Sequence, residues 1–179
     1  MVVTAIPIEN TNGESTTVCI STKEFDPQNM TRTGKCSNKY LSKRDDYSYT
    51  PGIEYHKLHS KNARFNDARK ICIEEGGHLA IINSFAEERV LLGIYARTKT
   101  NQDQAYVGIH NFYSSDDWVT IFGDLIYKAG YSEWADSQPN NGDGGGVQNC
   151  ATLYKTGKLN DVGCTCTFIG PFFCEIPEF

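Results

Sequence analysis

The stretch "ARKICIEEGGHLAIINS" (68–84) holds a helix end, a stop, a strand and the start of a second helix. With the residues before it, "SKNARFNDARKICIEEGG" (60–77) reads as a helix. Phe65, Ala68 and Cys72 fall at i, i+3 and i+7 on one face. Gly76-Gly77 stops it, because glycine enters the left-handed cap without a Cβ penalty. "HLAII" (78–82) is a short strand. Ser84 and Glu87 then form a capping box, in which each side chain is expected to cap the other residue's backbone N–H. The second helix runs to about Arg97, with Val90, Leu91, Ile94 and Tyr95 as its buried stripe.

Outward from this core, "YHKLH" (55–59) forms a short strand and "AYVGIH" (105–110) a buried one. "CATLY" (150–154) and "PFFCEI" (171–176) are again strand-like. Between them, residues 111–149 show little regular pattern beyond "WVTIFG" and a turn near Gly130. Irregular segments of that length inside a compact domain are usually functional. Two helices, short strands and one long loop make the fold class α+β. Residues 1–50 are rich in Thr, Ser, Asn and Lys and have no period. They read as an irregular N-terminal extension, with the folded domain over 51–179.

Composition narrows the function. Hydrophobic residues are 39% and aromatics 12% of the 179 residues, enough for a core. A formal net charge of −5 argues against a nucleic-acid binder, which carries a basic stripe. No apolar run approaches the roughly 18 residues a membrane span requires. Seven cysteines indicate an oxidising compartment. Asn29-Met30-Thr31 is a glycosylation sequon, which makes Asn29 a candidate glycan site and the chain secreted and extracellular. Residues 1–10 lack the n-region and h-region of a signal peptide, so a leader is expected to have been removed, or Met1 is not the natural start. No nucleophile elbow, His-Glu-x-x-His or phosphate loop is present, so no enzyme is expected. Of the four histidines, His56 and His59 are expected at the surface. Cys164-Thr165-Cys166 has no second ligand pair, so the spacing gives no zinc motif.

Several segments together resemble the C-type lectin-like domain: residues 68–84, "AYVGIH", "YSEWADSQPNN" (131–141), "NC" (149–150), "LNDVGC" (159–164) and "PFFCE" (171–175). The resemblance covers about 55–177. "DDYSYTPGIEYHKLH" and "DWVTIFG" look most like insect hemolymph lectins described as lipopolysaccharide-binding proteins or immulectins. It implies a disulfide between Cys72 and Cys174 and another between Cys150 and Cys164. By chain entropy these contribute about 4–5 and about 3 kcal/mol. Cys19, Cys36 and Cys166 remain. A Cys19–Cys36 bond is favoured, which leaves Cys166 as an odd thiol, buried or open to a covalent dimer.

The resemblance also implies a calcium and sugar site on the long loop. The matching positions are Gln138 and Asn140 around Pro139, then Gln148, then Asn160 with Asp161. In sugar binders of the family the triplet is usually Glu-Pro-Asn or Gln-Pro-Asp, so Gln-Pro-Asn is a hybrid, and the position of Gln148 is usually Glu. A cis peptide before Pro139 would turn both flanking side chains toward one point, and proline makes cis accessible. A full family site has about three carboxylates, whereas the matching set here has Asp161 alone. Asp136 and Asp143 are nearby reserves, and Asp116 is the one acidic survivor of a second, auxiliary site. Calcium affinity falls with ligand charge, so binding is expected to be weak, on the order of millimolar, or absent.

Trp118 and Trp134 are expected to pack the loop onto the core, with sugar stacking as the sharper alternative. Tyr113, Tyr127 and Tyr131 carry the same pair of readings. The resemblance implies a non-enzymatic recognition protein for carbohydrate or microbial glycans such as lipopolysaccharide, working in innate immunity and as oligomers for avidity. The alternative is a calcium-independent protein-binding module, an immune modulator or venom component.

Overall fold

The structure, a computed structural model, describes residues 44–142, 146–164 and 170–178. The sequon at Asn29, the Cys19–Cys36 pair, Cys166 and Asp143 lie outside them. The compact unit that carries the sheet spans Asp45–Phe179. Its first strand, β1 (Ser48–Thr50), precedes the boundary at 51 drawn from sequence and pairs with β2 (Glu54–Ala63). Tyr49 and Thr50 favour strands, but a three-residue segment is too short to show an alternating period. Tyr47 just before it is buried in the core.

The remaining elements follow in chain order: α1 (Phe65–Glu74), β3 (His78–Leu79), α2 (Phe85–Arg97), β4 (Gln104–His110), β5 (Val119–Thr120), α3 (Ile126–Ala129), β6 (Cys150–Tyr154), β7 (Leu159–Val162) and β8 (Gly170–Ile176). The sheet order is β1-β2-β8-β4-β6-β7, with β3 also on β8 and β5 also on β4. β8 sits inside the sheet and is buried at every residue, as its apolar run foretells. It runs parallel to β4, with Tyr106 opposite Phe172, while the other pairs are antiparallel. The fold is α+β.

Three local expectations change. Residues 60–63, expected in the first helix, continue β2. Ala63 pairs with Gly170 after a shift in register past His59, so ladder bonds to β8 override local helical spacing. The helix begins at Phe65 and buries Phe65, Ala68 and Cys72 as expected. The strand at 78–82 shrinks to two ladder residues. Ala80 still donates its N–H to the Phe173 carbonyl at 2.9 Å. The capping box is half formed. Ser84 Oγ accepts the Glu87 N–H at 3.2 Å, but Glu87 Oε2 accepts the Asn83 N–H at 2.8 Å. The other Glu87 oxygen faces His56 Nε2 at 2.9 Å. His56, expected at the surface, is therefore fully buried, and His59 is half-buried against Glu75.

The core has two parts. Leu91, Ile94 and Tyr95 of α2 pack with Leu153, Leu159 and Phe173 of the sheet. Full burial of such a side chain contributes about 1.5–3 kcal/mol. Around α1, Phe65, Ala68 and Cys72 pack with Tyr106, Phe172 and Cys174. The disulfides Cys72–Cys174 and Cys150–Cys164 are both formed, closing sequence separations of 102 and 14. Gly77 passes so close to β8 that a Cβ there would overlap the Glu175 carbonyl oxygen.

Candidate functional site

The long loop is anchored before it reaches its polar tip. Trp118 is buried in the main core, and Trp134 packs against it with ring centroids 4.7 Å apart. Both indoles therefore serve packing. Tyr131 is buried too, and its hydroxyl donates to Glu88 at 2.6 Å. Burial, reinforced by Glu88, pushes that phenol's pKa up, so it stays protonated. Tyr113 and Tyr127 remain exposed.

The peptide between Gln138 and Pro139 is cis. Beyond it, β7 supplies the fastening. Asp161 is 1% exposed. Its Oδ1 accepts the Asn140 N–H at 3.2 Å and its Oδ2 accepts the Asn141 N–H at 2.6 Å. Asn140 Oδ1 accepts the Gly142 N–H at 2.9 Å, and Asn141 Oδ1 accepts the Gln148 N–H at 3.0 Å. Gly142 has φ +83°, and a Cβ there would overlap the Gly146 carbonyl oxygen where the two arms of the loop cross. A charge-assisted clamp thus fixes the loop from within the protein.

Of the five expected site residues, Asn140 bonds Asp161 through its N–H, Gln148 reaches the same loop through its N–H on Asn141, and Gln138 precedes them across the cis peptide. Asn160 does not join them. Neighbouring strand residues point to opposite faces, and Asn160 Nδ2 donates to Gln104 Oε1 at 2.9 Å. Of the reserves, Asp136 is exposed and 3.9 Å from Lys158, and Asp116 is exposed.

Calcium requires 6–8 oxygens at about 2.3–2.6 Å. One observation favours it: Gln138 Oε1 is buried and has no hydrogen-bond partner. The other donors oppose it. Both oxygens of the one carboxylate hold backbone N–H groups, Asn140 Oδ1 holds Gly142, and Asn160 faces Gln104. In this arrangement the set does not fit a calcium cage. What it offers is a pinned, polar, amide-rich surface.

Sequence reasoning missed a second cluster altogether. His56, Glu87 and Glu175 gather from β2, α2 and β8, and all three are buried. The one available signal was Glu87 at the third helical position, which the capping box absorbed.

The model of the Lectin C-type domain family matches residues 61–176. A hemolymph lipopolysaccharide-binding protein of Periplaneta americana is 38% identical over 136 residues, which is 73% of this chain and 52% of that protein. Pulmonary surfactant-associated protein D of Bos taurus is 34% identical over 117 residues, 63% of this chain and 28% of that protein. The chain thus spans about half, or less, of the length of these relatives. The carbohydrate-recognition domain of the mouse scavenger receptor C-type lectin superposes with a TM-score of 0.63 at 23% identity, covering 74% of this chain and 98% of that one. Human lithostathine gives 0.65 at 17%, covering 84% and 99%. At these identities the structural likeness concerns the fold.

Proposed function

The chain belongs to the C-type lectin domain family, and on that premise we propose that it is a secreted recognition protein for carbohydrate on microbial surfaces, lipopolysaccharide included. The observation that supports this most is the internally clamped loop around Gln138, Asn140 and Gln148. Amides both donate and accept, as sugar hydroxyls do, so a rigid display of them suits a polyol ligand. Gln138 Oε1 is a buried acceptor that no group of the described residues satisfies. Because Asp161 orders the loop beforehand, binding loses little conformational entropy. The relative named for lipopolysaccharide binding is the reason for choosing a microbial glycan. Calcium plays at most a millimolar part, and no step depends on it. Each site is weak, so useful affinity comes from oligomers on a repetitive surface. The activity is binding, without catalysis.

A second reading is a calcium-independent module for a protein partner. The engagement of both Asp161 oxygens with the backbone favours it. Retention on lipopolysaccharide-coated beads and on galactose and mannose resins separates the two. Retention with and without chelator, released by free sugar, is the expected result. No retention on any glycan in either buffer would overturn the lectin reading.

A further inference from the structure

The buried strand β4 ends in His110, and Phe112 and Tyr113 follow it into the long loop. Beside them, a cavity of about 420 Å³ opens against the start of α1. It is lined by Phe65, Asn66, Arg69, His110, Phe112 and Ile121, and shares no residue with the Asp161 clamp. That volume suits a small-molecule site. The walls are mostly aromatic. Phe65 meets Phe112 edge to face with centroids 6.0 Å apart, and Phe112 stacks on His110 at 4.3 Å. Phe112, Tyr113 and Phe122 carry apolar surface out into solvent. Grouped exposed aromatics of this kind mark a binding surface. Two polar groups interrupt the apolar lining. His110 is 6% exposed, and its Nδ1 accepts the Phe112 N–H at 3.3 Å. Burial lowers its pKa, so the ring is neutral and its proton sits on Nε2. Among the described residues nothing accepts that proton. Half-buried Arg69 bonds through Nε to Asn66 Oδ1 at 3.1 Å and has no carboxylate partner among the described residues. Most of its donors stay open to a ligand.

We propose that this cavity binds the acyl chain of a single anionic amphiphile, with the chain against Phe65, Phe112 and Ile121, its ester or amide carbonyl on His110 Nε2–H, and its phosphate on Arg69. Each part of that ligand answers a feature of the cavity. The aromatic walls favour a hydrocarbon chain, which leaves water on entering. A bare hydrocarbon would cover the His110 donor and leave it unpaired, which is costly, so an acceptor has to arrive with the chain. A guanidinium without a carboxylate partner suits phosphate, which it grips through two parallel N–H groups. The formal net charge of −5 sets the protein against a sheet of anionic head groups, which draws basic surfaces. The occupant is therefore one lipid molecule and not a bilayer. This site goes beyond the glycan reading and requires no sugar, so the two stand or fall separately.

The test is calorimetric titration of the full chain, in chelator, with lauroyl lysophosphatidic acid kept below its micelle concentration. The expected result is one molecule bound per chain. Lauroylglycerol, which lacks the phosphate, and dodecyl phosphate, which lacks the carbonyl, should each bind the unmodified chain about tenfold more weakly. Those two comparisons need no variant and stay sound if one misfolds. Arg69→Gln should weaken the lysophosphatidic acid about tenfold and leave lauroylglycerol unchanged, a split that general damage to the fold would not produce. Phe112→Ala should weaken both, and Gln138→Ala/Asn140→Ala neither. No binding of the lysophosphatidic acid by the unmodified chain overturns the proposal. So does equal affinity for all three lipids, displacement by free galactose or mannose, or capture by phosphatidylglycerol vesicles in preference to the single lipid.

Discussion

Asp161→Asn should destabilise the protein in the complete absence of calcium. The carboxylate is 1% exposed and holds the Asn140 and Asn141 N–H groups at 3.2 and 2.6 Å. An amide keeps one acceptor and turns a donor toward the other N–H. A hydrogen bond to a charged group contributes about 1.5–3 kcal/mol, and an N–H left facing a donor costs a further fraction. The expected loss is about 2–4 kcal/mol, roughly 10 °C in Tm for a domain of this size. Scanning calorimetry in chelator measures it. Hydrogen exchange should show Asn140 and Asn141 losing protection while β8 keeps its own. A Tm within about 2 °C of the parent would refute the clamp. So would a deficit that appears only when calcium is present, because the carboxylate would then be serving an ion instead of the backbone.

Three further outcomes follow from particular contacts. Replacing Cys72 and Cys174 together by Ala opens a sequence separation of 102 and should cost about 4–5 kcal/mol by chain entropy, read as a lower denaturant midpoint. Gly77→Ala forces a methyl into the Glu175 carbonyl and should cost about 3 kcal/mol, whereas Gly52→Ala, with open space around it but φ +73°, should cost less. Burial alone would raise the Glu75 pKa, but hydrogen bonds from Tyr47, Lys57 and His59 outweigh it and hold the carboxyl at about 2, against an ordinary 4.5. A depressed carboxyl stabilises the fold above pH 4.5, and that stability drains away as pH falls toward 2. Allowing for partial solvent screening it is worth about 1–2 kcal/mol, and Glu75→Gln should flatten that acid limb of the Tm profile.

Much of the fold can be read from local pattern, and its limits have physical causes. The α2 stripe of Leu91, Ile94 and Tyr95 is visible because helical period and burial coincide. β8 is visible because a strand covered on both faces is apolar throughout. Residues 60–63 are misread because their partner, Gly170, lies over a hundred positions away. His56 looks like a surface residue until Glu87 arrives from α2. At the site, the resemblance points to Asn140 and Asp161, which bond each other, and to Gln148, which bonds the adjoining Asn141. Sequence cannot show what each oxygen is bonded to, and that decides the calcium question. Asp161 counts as a free carboxylate in the sequence and as a clamp in the structure. No helix among the described residues is long and apolar enough to cross a membrane, in line with the hydropathy of the sequence.

The most direct test of the account is calorimetric titration of a lipopolysaccharide core saccharide into the protein, in chelator, for the parent chain and a Gln138→Ala/Asn140→Ala variant shown to be folded by its own cooperative thermal transition. The account predicts binding by the parent that weakens at least about tenfold in the variant, since two sugar contacts of about 1 kcal/mol each are removed. Equal binding by both proteins, or none by the parent at any concentration, would contradict it.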